Sequence, residues 1–283
     1  VTAPDLTLIQ LSDSHIVGDD TLMHGAVDTL ANLTAALDAV HASGVAVHGL
    51  LLSGDLTDNG SPAAYRRLRA VVEPAAARLR CPAIYAMGNH DERSAFRAAL
   101  LPDDPGDGPC DTVHRIAGLR IIVLDTTVPG RHDGHLDAEQ LDWLRAQLAQ
   151  SAPLGTVLVL HHPPLPSPVP TVHLLRLKDA DRLAAVVAGS DVRLVLSGHA
   201  HHTGCGTLAG IPVWVSPALA YRVDTLPPRE RLRGVVGSGL TRIDLIDGAF
   251  VATAVDLVGA PPVYDRDRDD LVRYVSDRTR ELG

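Results

Sequence analysis

Five short apolar runs in this chain each stop at a cluster containing Asp, Asn or His, and no other feature restricts the possible folds so much. Leu6 to Leu11 leads into Ser12-Asp13-Ser14-His15, Gly49 to Leu52 into Ser53-Gly54-Asp55-Leu56-Thr57-Asp58, and Ala83 to Met87 into Gly88-Asn89-His90-Asp91. Further on, Thr156 to Leu160 leads into His161-His162-Pro163, and Arg193 to Leu196 into Ser197-Gly198-His199-Ala200-His201-His202. Apolar runs of this length, bounded by turn residues, read as buried strands. Helix signals lie between the early ones. Val27, Leu30, Leu33, Leu37 and Val40 recur at helical spacing with Gly44 as C-cap, and Pro62 to Leu79 reads as a helix opened by Ser61. Strands alternating with amphipathic helices predict an α/β domain. Ligands of open α/β sheets bind at the carboxyl ends of strands, which puts all five clusters along one edge.

A strand at Leu119 to Leu124 and a helix over Asp137 to Gln150, with Asp137 and Gln140 at capping-box spacing, continue the pattern. Past Thr203 the signals change to hairpins, Gly206 to Val215 around Ala209-Gly210 and Leu240 to Val255 around Asp247-Gly248. Arg222 to Gly239 reads as a long solvated loop carrying Arg229, Arg231 and Arg233, and Arg266 to Leu282 as a charged, weakly amphipathic helix. Tyr65, Tyr221 and Trp214 are expected in the core, and His24, His132 and His135 on the surface.

Charge narrows the partners. Lys plus Arg number 25 against 34 for Asp plus Glu, a net charge of −9, which argues against a nucleic-acid polymer and requires any anionic substrate to be held locally. The apolar runs fall far short of the roughly 18 residues of a membrane span. Cys81, Cys110 and Cys205 are odd in number and widely spaced, and Val1 to Asp5 lack the basic start and apolar core of a secretory leader. A cytoplasmic setting is therefore expected.

Histidine carries the chemistry. Of 14 in the chain, His15, His90, His161, His162, His199, His201 and His202 sit in the strand-end clusters. Asp13, His15, Asp55, Asn89, His161, His199 and His201 supply more donors than one ion can use. Mixed nitrogen and oxygen ligands without thiolate suit first-row ions such as Mn, Fe, Zn or Co better than Ca or Mg. Two ions sharing a bridging Asp leave positions open for solvent and substrate, as hydrolysis requires. Two divalent ions, two carboxylates and a hydroxide give the centre about +1 charge, which matches a phosphodiester anion, and hydroxide generated there attacks phosphorus without an amino-acid nucleophile.

In this order, Asp13-x-His15, Gly54-Asp55-x-x-Asp58, Gly88-Asn89-His90-Asp91, His161-x-Pro163 and Gly198-His199-x-His201 resemble the motifs of the calcineurin-like metallophosphoesterases. Pro62-Ala63-Ala64-Tyr65, Gly118 to Thr126 and His161-His162-Pro163-Pro164 are similar to the bacterial class III cyclic-nucleotide phosphodiesterases, particularly the mycobacterial member. The resemblance covers about residues 5 to 256. It implies a four-layer α/β/β/α sandwich around two mixed β-sheets. It also implies that Asp13, His15 and His201 hold one metal, that Asn89, His161 and His199 hold the other, and that Asp55 bridges, with His162 not a ligand. His90 would face the substrate phosphate, with Asp58 placed to hydrogen-bond and orient it. A homodimer is expected from the family alone. A metallophosphoesterase domain over residues 1–257 is expected, followed by a charged, helical extension over 258–283.

The expected activity is metal-dependent hydrolysis of a small phosphodiester, with 3′,5′- or 2′,3′-cAMP or a glycerophosphodiester as candidate substrates and phosphomonoester hydrolysis as the close rival. A zinc amidohydrolase fits less well, because its His-x-His pair comes early, after the first barrel strand, whereas His199 and His201 come last. A non-catalytic binding module of the same fold would show lost ligands, and none is lost.

Overall fold

The computed structural model describes residues 3–101, 104, 106–257, 259 and 261–281. In chain order the elements are β1 (Leu6–Leu11), α1 (Thr29–Ala42), β2 (Gly49–Ser53), α2 (Pro62–Leu79), β3 (Ala83–Ala86), α3 (Arg93–Leu100), β4 (Thr112–Ile116), β5 (Leu119–Leu124), α4 (Ala138–Leu148) and β6 (Thr156–Leu160). They continue with α5 (Pro170–Leu175), α6 (Ala180–Val187), β7 (Val192–Ser197), β8 (Gly204–Leu208), β9 (Ile211–Val215), β10 (Arg222–Val223), β11 (Gly234–Val235), β12 (Gly239–Ile246), β13 (Ala249–Asp256) and α7 (Arg268–Glu281). One sheet has the order β13-β12-β1-β2-β3 and the other β4-β5-β6-β7-β9-β8. Both are mixed: β1, β2 and β3 run parallel, as do β5, β6, β7 and β9, with antiparallel strands at the flanks.

Side-chain alternation along the strands builds the layers. Leu6, Leu8 and Leu51 of one sheet meet Leu119, Ile121, Val123, Val157 and Val159 of the other in a core between the sheets. Ile9, Leu11, Leu50 and Leu52 point the opposite way and pack against Leu33, Leu37, Leu68 and Val72 of α1 and α2. Ile122, Leu124, Leu158 and Leu160 do the same against Leu141, Leu144, Leu183 and Val187 of α4 and α6. The result is the expected α/β/β/α sandwich, and strands buried on both faces explain the uninterrupted apolar runs.

The end signals work as expected. Ser61 Oγ accepts the Ala64 N–H at 3.3 Å at the start of α2, and Asp137 and Gln140 form a complete capping box on α4. Both hairpins turn on left-handed pairs, Ala209 and Gly210 at φ 50° and 81° and Asp247 and Gly248 at 48° and 76°, the twist that two-residue hairpins prefer. The segment Arg222 to Gly239 differs from the expected loop, because β10 and β11 pair within it as a short antiparallel ribbon. Its Arg229 and Arg231 are exposed, and Arg233 holds Asp224 instead of reaching over the site. α7 lies within the expected Arg266 to Leu282, of which Leu282 is outside the described residues. Among the described residues no helix is long and apolar enough to cross a membrane.

Candidate metal centre

β1, β2, β3, β6 and β7 deliver their polar clusters to one edge of the sandwich. The chain makes tight turns there, since Asp13, His15, Asp55, His199 and His201 all adopt left-handed φ between 45° and 66°. Such a conformation costs a non-glycine residue about 1–3 kcal/mol and persists where the surroundings impose it. Here the main chain is laced together: Asp13 N–H donates to Gly54 O at 3.1 Å, His15 N–H to Asp55 O at 2.9 Å and Gly198 N–H to His161 O at 3.0 Å. Asp91, named by its motif but given no role there, adds a clamp. Its carboxylate accepts from Leu56 N, Thr57 N, Gly88 N and the Tyr65 hydroxyl at 2.9–3.1 Å, tying the loop after β2 to the loop after β3. Gly54 is glycine because a Cβ there would lie 2.3 Å from His161 Nδ1, and because its φ is +94°.

Five expected ligands interlock directly. Asp55 Oδ2 lies 3.2 Å from His161 Nε2 and 3.6 Å from His15 Nε2, while Asp13 Oδ1 lies 3.5 Å from His201 Nε2 and 4.0 Å from His161 Nε2. His15 Nε2 and His201 Nε2 face each other at 3.1 Å. His199 joins through its ring, 5.0 Å from that of His161, and through its N–H, which donates to both Asp13 carboxylate oxygens at 3.0 Å. Asn89 sits at the rim and has no direct bond to the other ligands. Its Nδ2 is bonded to His132 Nδ1 at 3.2 Å, leaving Oδ1 buried without a partner.

These donors suit cations. His161 Nδ1–H donates to Ser53 O at 2.9 Å and His201 Nδ1–H to Tyr221 O at 3.0 Å; a carbonyl cannot donate in return, so in each neutral ring the lone pair falls on Nε2. His161 Nε2 is buried, with the Asp55 carboxylate as its 3.2 Å neighbour. Burial keeps His199 and His201 neutral, each depressed to about 3 with neighbouring imidazoles adding to the effect. Burial alone would also depress His161, yet the Asp55 and Asp13 carboxylates overcome it and hold that imidazole up at about 9. Burial likewise tends to raise Asp55, but His161 and His15 outweigh it and keep the carboxyl well below its usual range. Asp13 is raised by burial, partly offset by His161. A buried pair of carboxylates that draws positive charge onto a histidine, beside inward lone pairs and an orphaned amide oxygen, fits two divalent ions.

The structure changes several expectations. His90 is oriented by main chain, its Nδ1–H donating to the Asp58 carbonyl at 2.8 Å, whereas the Asp58 carboxylate lies 3.9 Å from that nitrogen and 3.4 Å from His15 Nδ1. Tyr221 is half-buried and not core, packing on His201 with ring centroids 4.3 Å apart, while His24 is exposed as expected and meets the Tyr221 ring edge at 5.5 Å. His132 is exposed as expected, but it bonds to Asn89 and lies 6.0 Å from the His90 ring. His162 is fully buried and kept neutral, mainly by burial and then by His199; it bonds Thr126 Oγ1 at 2.7 Å, with its ring 4.6 Å from His199. Tyr65 is core as expected, Trp214 is half-buried with its indole N–H on Thr241, and His135 serves the surface carboxylates Asp133 and Asp179.

Residues 6–203 match the calcineurin-like phosphoesterase family. The chain is 45% identical over 255 residues to a probable cyclic nucleotide phosphodiesterase of Rhodococcus erythropolis, covering 90% of this chain and 84% of the relative. It is 42% identical over 261 residues to a cAMP/cGMP dual specificity phosphodiesterase of Mycobacterium tuberculosis, covering 92% and 82%. Among solved structures, a dimetal phosphatase from Danio rerio superposes with a TM-score of 0.64 at 15% identity, covering 90% of this chain and 97% of that one. At that identity the likeness is one of fold.

Proposed function

The chain belongs to the calcineurin-like phosphoesterase family, and we propose that it is a two-metal phosphodiesterase that opens cyclic nucleotides such as 3′,5′-cAMP. The observation that carries the reading is the buried Asp13, His15, Asp55, His161 and His201 cluster, whose histidine Nε2 atoms converge between two carboxylates. Asp13, His15 and His201 would hold one ion and Asn89, His161 and His199 the other, with Asp55 between them. Mn, Fe, Zn or Co suits this donor set. When bound, the ions supply Lewis acidity and hydroxide at neutral pH.

The chain's own residues do the rest. Ser53 O and Tyr221 O fix the ligand tautomers, and Asp55 Oδ1 accepts the His90 N–H at 2.8 Å, anchoring that residue next to the reacting centre. With Nδ1–H bound to the Asp58 carbonyl, His90 keeps Nε2 free for the phosphate. When the ring also carries a proton on Nε2, it can deliver it to the departing oxygen. Among the described residues no Lys or Arg ion pair involves a member of the cluster, so the cluster's own ion pairs are all made by imidazoles. A centre of about +1 neutralises a diester monoanion better than a monoester dianion.

Hydrolysis of paired chromogenic esters tests the proposal. Bis(4-nitrophenyl) phosphate should be cleaved with higher kcat/KM than 4-nitrophenyl phosphate, and 3′,5′-cAMP should be opened measurably. A reversed preference without cyclic-nucleotide opening would make the protein a phosphomonoesterase. His90→Ala should keep both metals and lose about 10²–10⁴-fold in kcat, the range of a positioned acid–base group. Loss of metal from that variant would show that His90 is a ligand.

A further inference from the structure

Asp58 follows the bridging Asp55 by three residues and presents two groups to two different histidines. Its carbonyl accepts the His90 Nδ1–H at 2.8 Å. Its carboxylate, about a third exposed, lies 3.4 Å from His15 Nδ1. That ring nitrogen is buried and makes no hydrogen bond in this geometry, so the Asp58 carboxylate is an ion-pair neighbour within reach of it, while Nε2 of the same ring faces Asp55 and His201. A histidine ligand usually donates its outer N–H to a carboxylate or carbonyl, which fixes the ring and raises its basicity. His161 and His201 use the carbonyls of Ser53 and Tyr221 for this, and at His15 the Asp58 carboxylate stands in the corresponding place.

We infer that the Asp58 side chain is a positioning residue for the metal ligand His15, and that His90 is served by the Asp58 main chain alone. The two roles separate by atom. Removing the carboxylate loosens His15 and leaves the His90 contact in place, because no side-chain substitution removes a carbonyl. Asp58 therefore acts on how tightly one ion is held, and His90 on how fast the bound phosphate reacts. This division rests on the reading of His15 as a ligand.

Asp58→Asn keeps the shape and removes the charge. Equilibrium dialysis of metal-stripped protein against Mn²⁺, followed by kcat on bis(4-nitrophenyl) phosphate across Mn²⁺ concentrations, reads both roles. For Asp58→Asn the Kd of one of the two ions should rise about 10–100-fold, and saturating Mn²⁺ should restore kcat to within about 3-fold of wild type. His90→Ala should behave oppositely, with unchanged Kd and a kcat that metal does not restore. Wild-type Mn²⁺ affinity in Asp58→Asn would overturn the inference by showing that the carboxylate does not support His15, and a kcat that stays low at saturating metal would overturn it by putting the carboxylate to work on His90. Wild-type protein that takes up no Mn²⁺ would overturn the metal-centre reading itself, a separate failure. Because the side chain lies outside the core, circular dichroism should be unchanged in the variant.

Discussion

Asp55→Ala is expected to lower kcat/KM on a phosphodiester by roughly 10³-fold or more and to reduce the metal content from two ions per chain to one or none. Asp55 touches both halves of the cluster. Its Oδ2 lies 3.2 Å from His161 and 3.6 Å from His15, and its Oδ1 accepts the His90 N–H at 2.8 Å. No neighbour can replace it, because Asp13 is already engaged with His201 and the His199 N–H. Metal polarisation of a phosphoryl group is worth several kcal/mol, and each 1.36 kcal/mol is tenfold in rate, so losing one ion reaches the predicted range. Removing one member of a buried ion pair costs about 3–5 kcal/mol, so Tm should fall, while the three hydrophobic cores, which Asp55 does not enter, keep the sandwich folded. Elemental analysis and steady-state kinetics check this. A variant that keeps two ions and turns over within about tenfold of wild type would remove Asp55 from the bridging position.

Much of this candidate site was legible because four of the five strands before its clusters, β1, β2, β6 and β7, are buried on both faces, β3 being half-buried. Such strands appear as unbroken apolar runs, and the polar residue that ends each run is conspicuous. The elements that escaped lack that contrast. α3 starts directly after the Gly88 to Asp91 motif, uses Glu92 as its N-cap and buries Arg97 on its inner face, which blurs both its start and its period. β4 is half-buried and joined to β5 by Ala117-Gly118, where the left-handed alanine hides a two-residue hairpin turn. α5 and α6 are too short, at six and eight residues, to show a helical period.

Contacts made by main chain were illegible for another reason. Motif spacing puts Asp58 near His90, but it does not say that the carbonyl takes His90 while the carboxylate turns to His15. Tyr221 serves His201 through a carbonyl that any residue would supply, and only its ring left a trace in the sequence. His132 reaches Asn89 from a loop and not from a strand end, so it had no cluster to mark it.

Gly88→Ala tests how tightly the loops after β2 and β3 are pressed together, and it should abolish activity while lowering Tm by roughly 6–12 °C. A Cβ at this position would lie 2.1 Å from the Asp55 main-chain nitrogen and 2.3 Å from its Oδ1. The first contact is backbone, so no rotamer change relieves it, and the two loops must part. Overpacking typically costs about 1–3 kcal/mol; a clash with main chain belongs at the upper end, and about 2–4 °C of Tm per kcal/mol gives the predicted shift. The same separation pulls Gly88 N from the Asp91 carboxylate, 3.0 Å away, and that carboxylate also holds Leu56, Thr57 and Tyr65. Asn89 and His90 follow immediately in the chain, so the displacement carries a rim donor and the imidazole proposed to meet the phosphate away from Asp55. Gly108→Ala is the control, because nothing lies within 4 Å of its added Cβ, and it should change stability by no more than about 0.5 kcal/mol. If Gly88→Ala melts within about 2 °C of wild type and binds both ions, the loops have slack and close approach is not what the glycine serves.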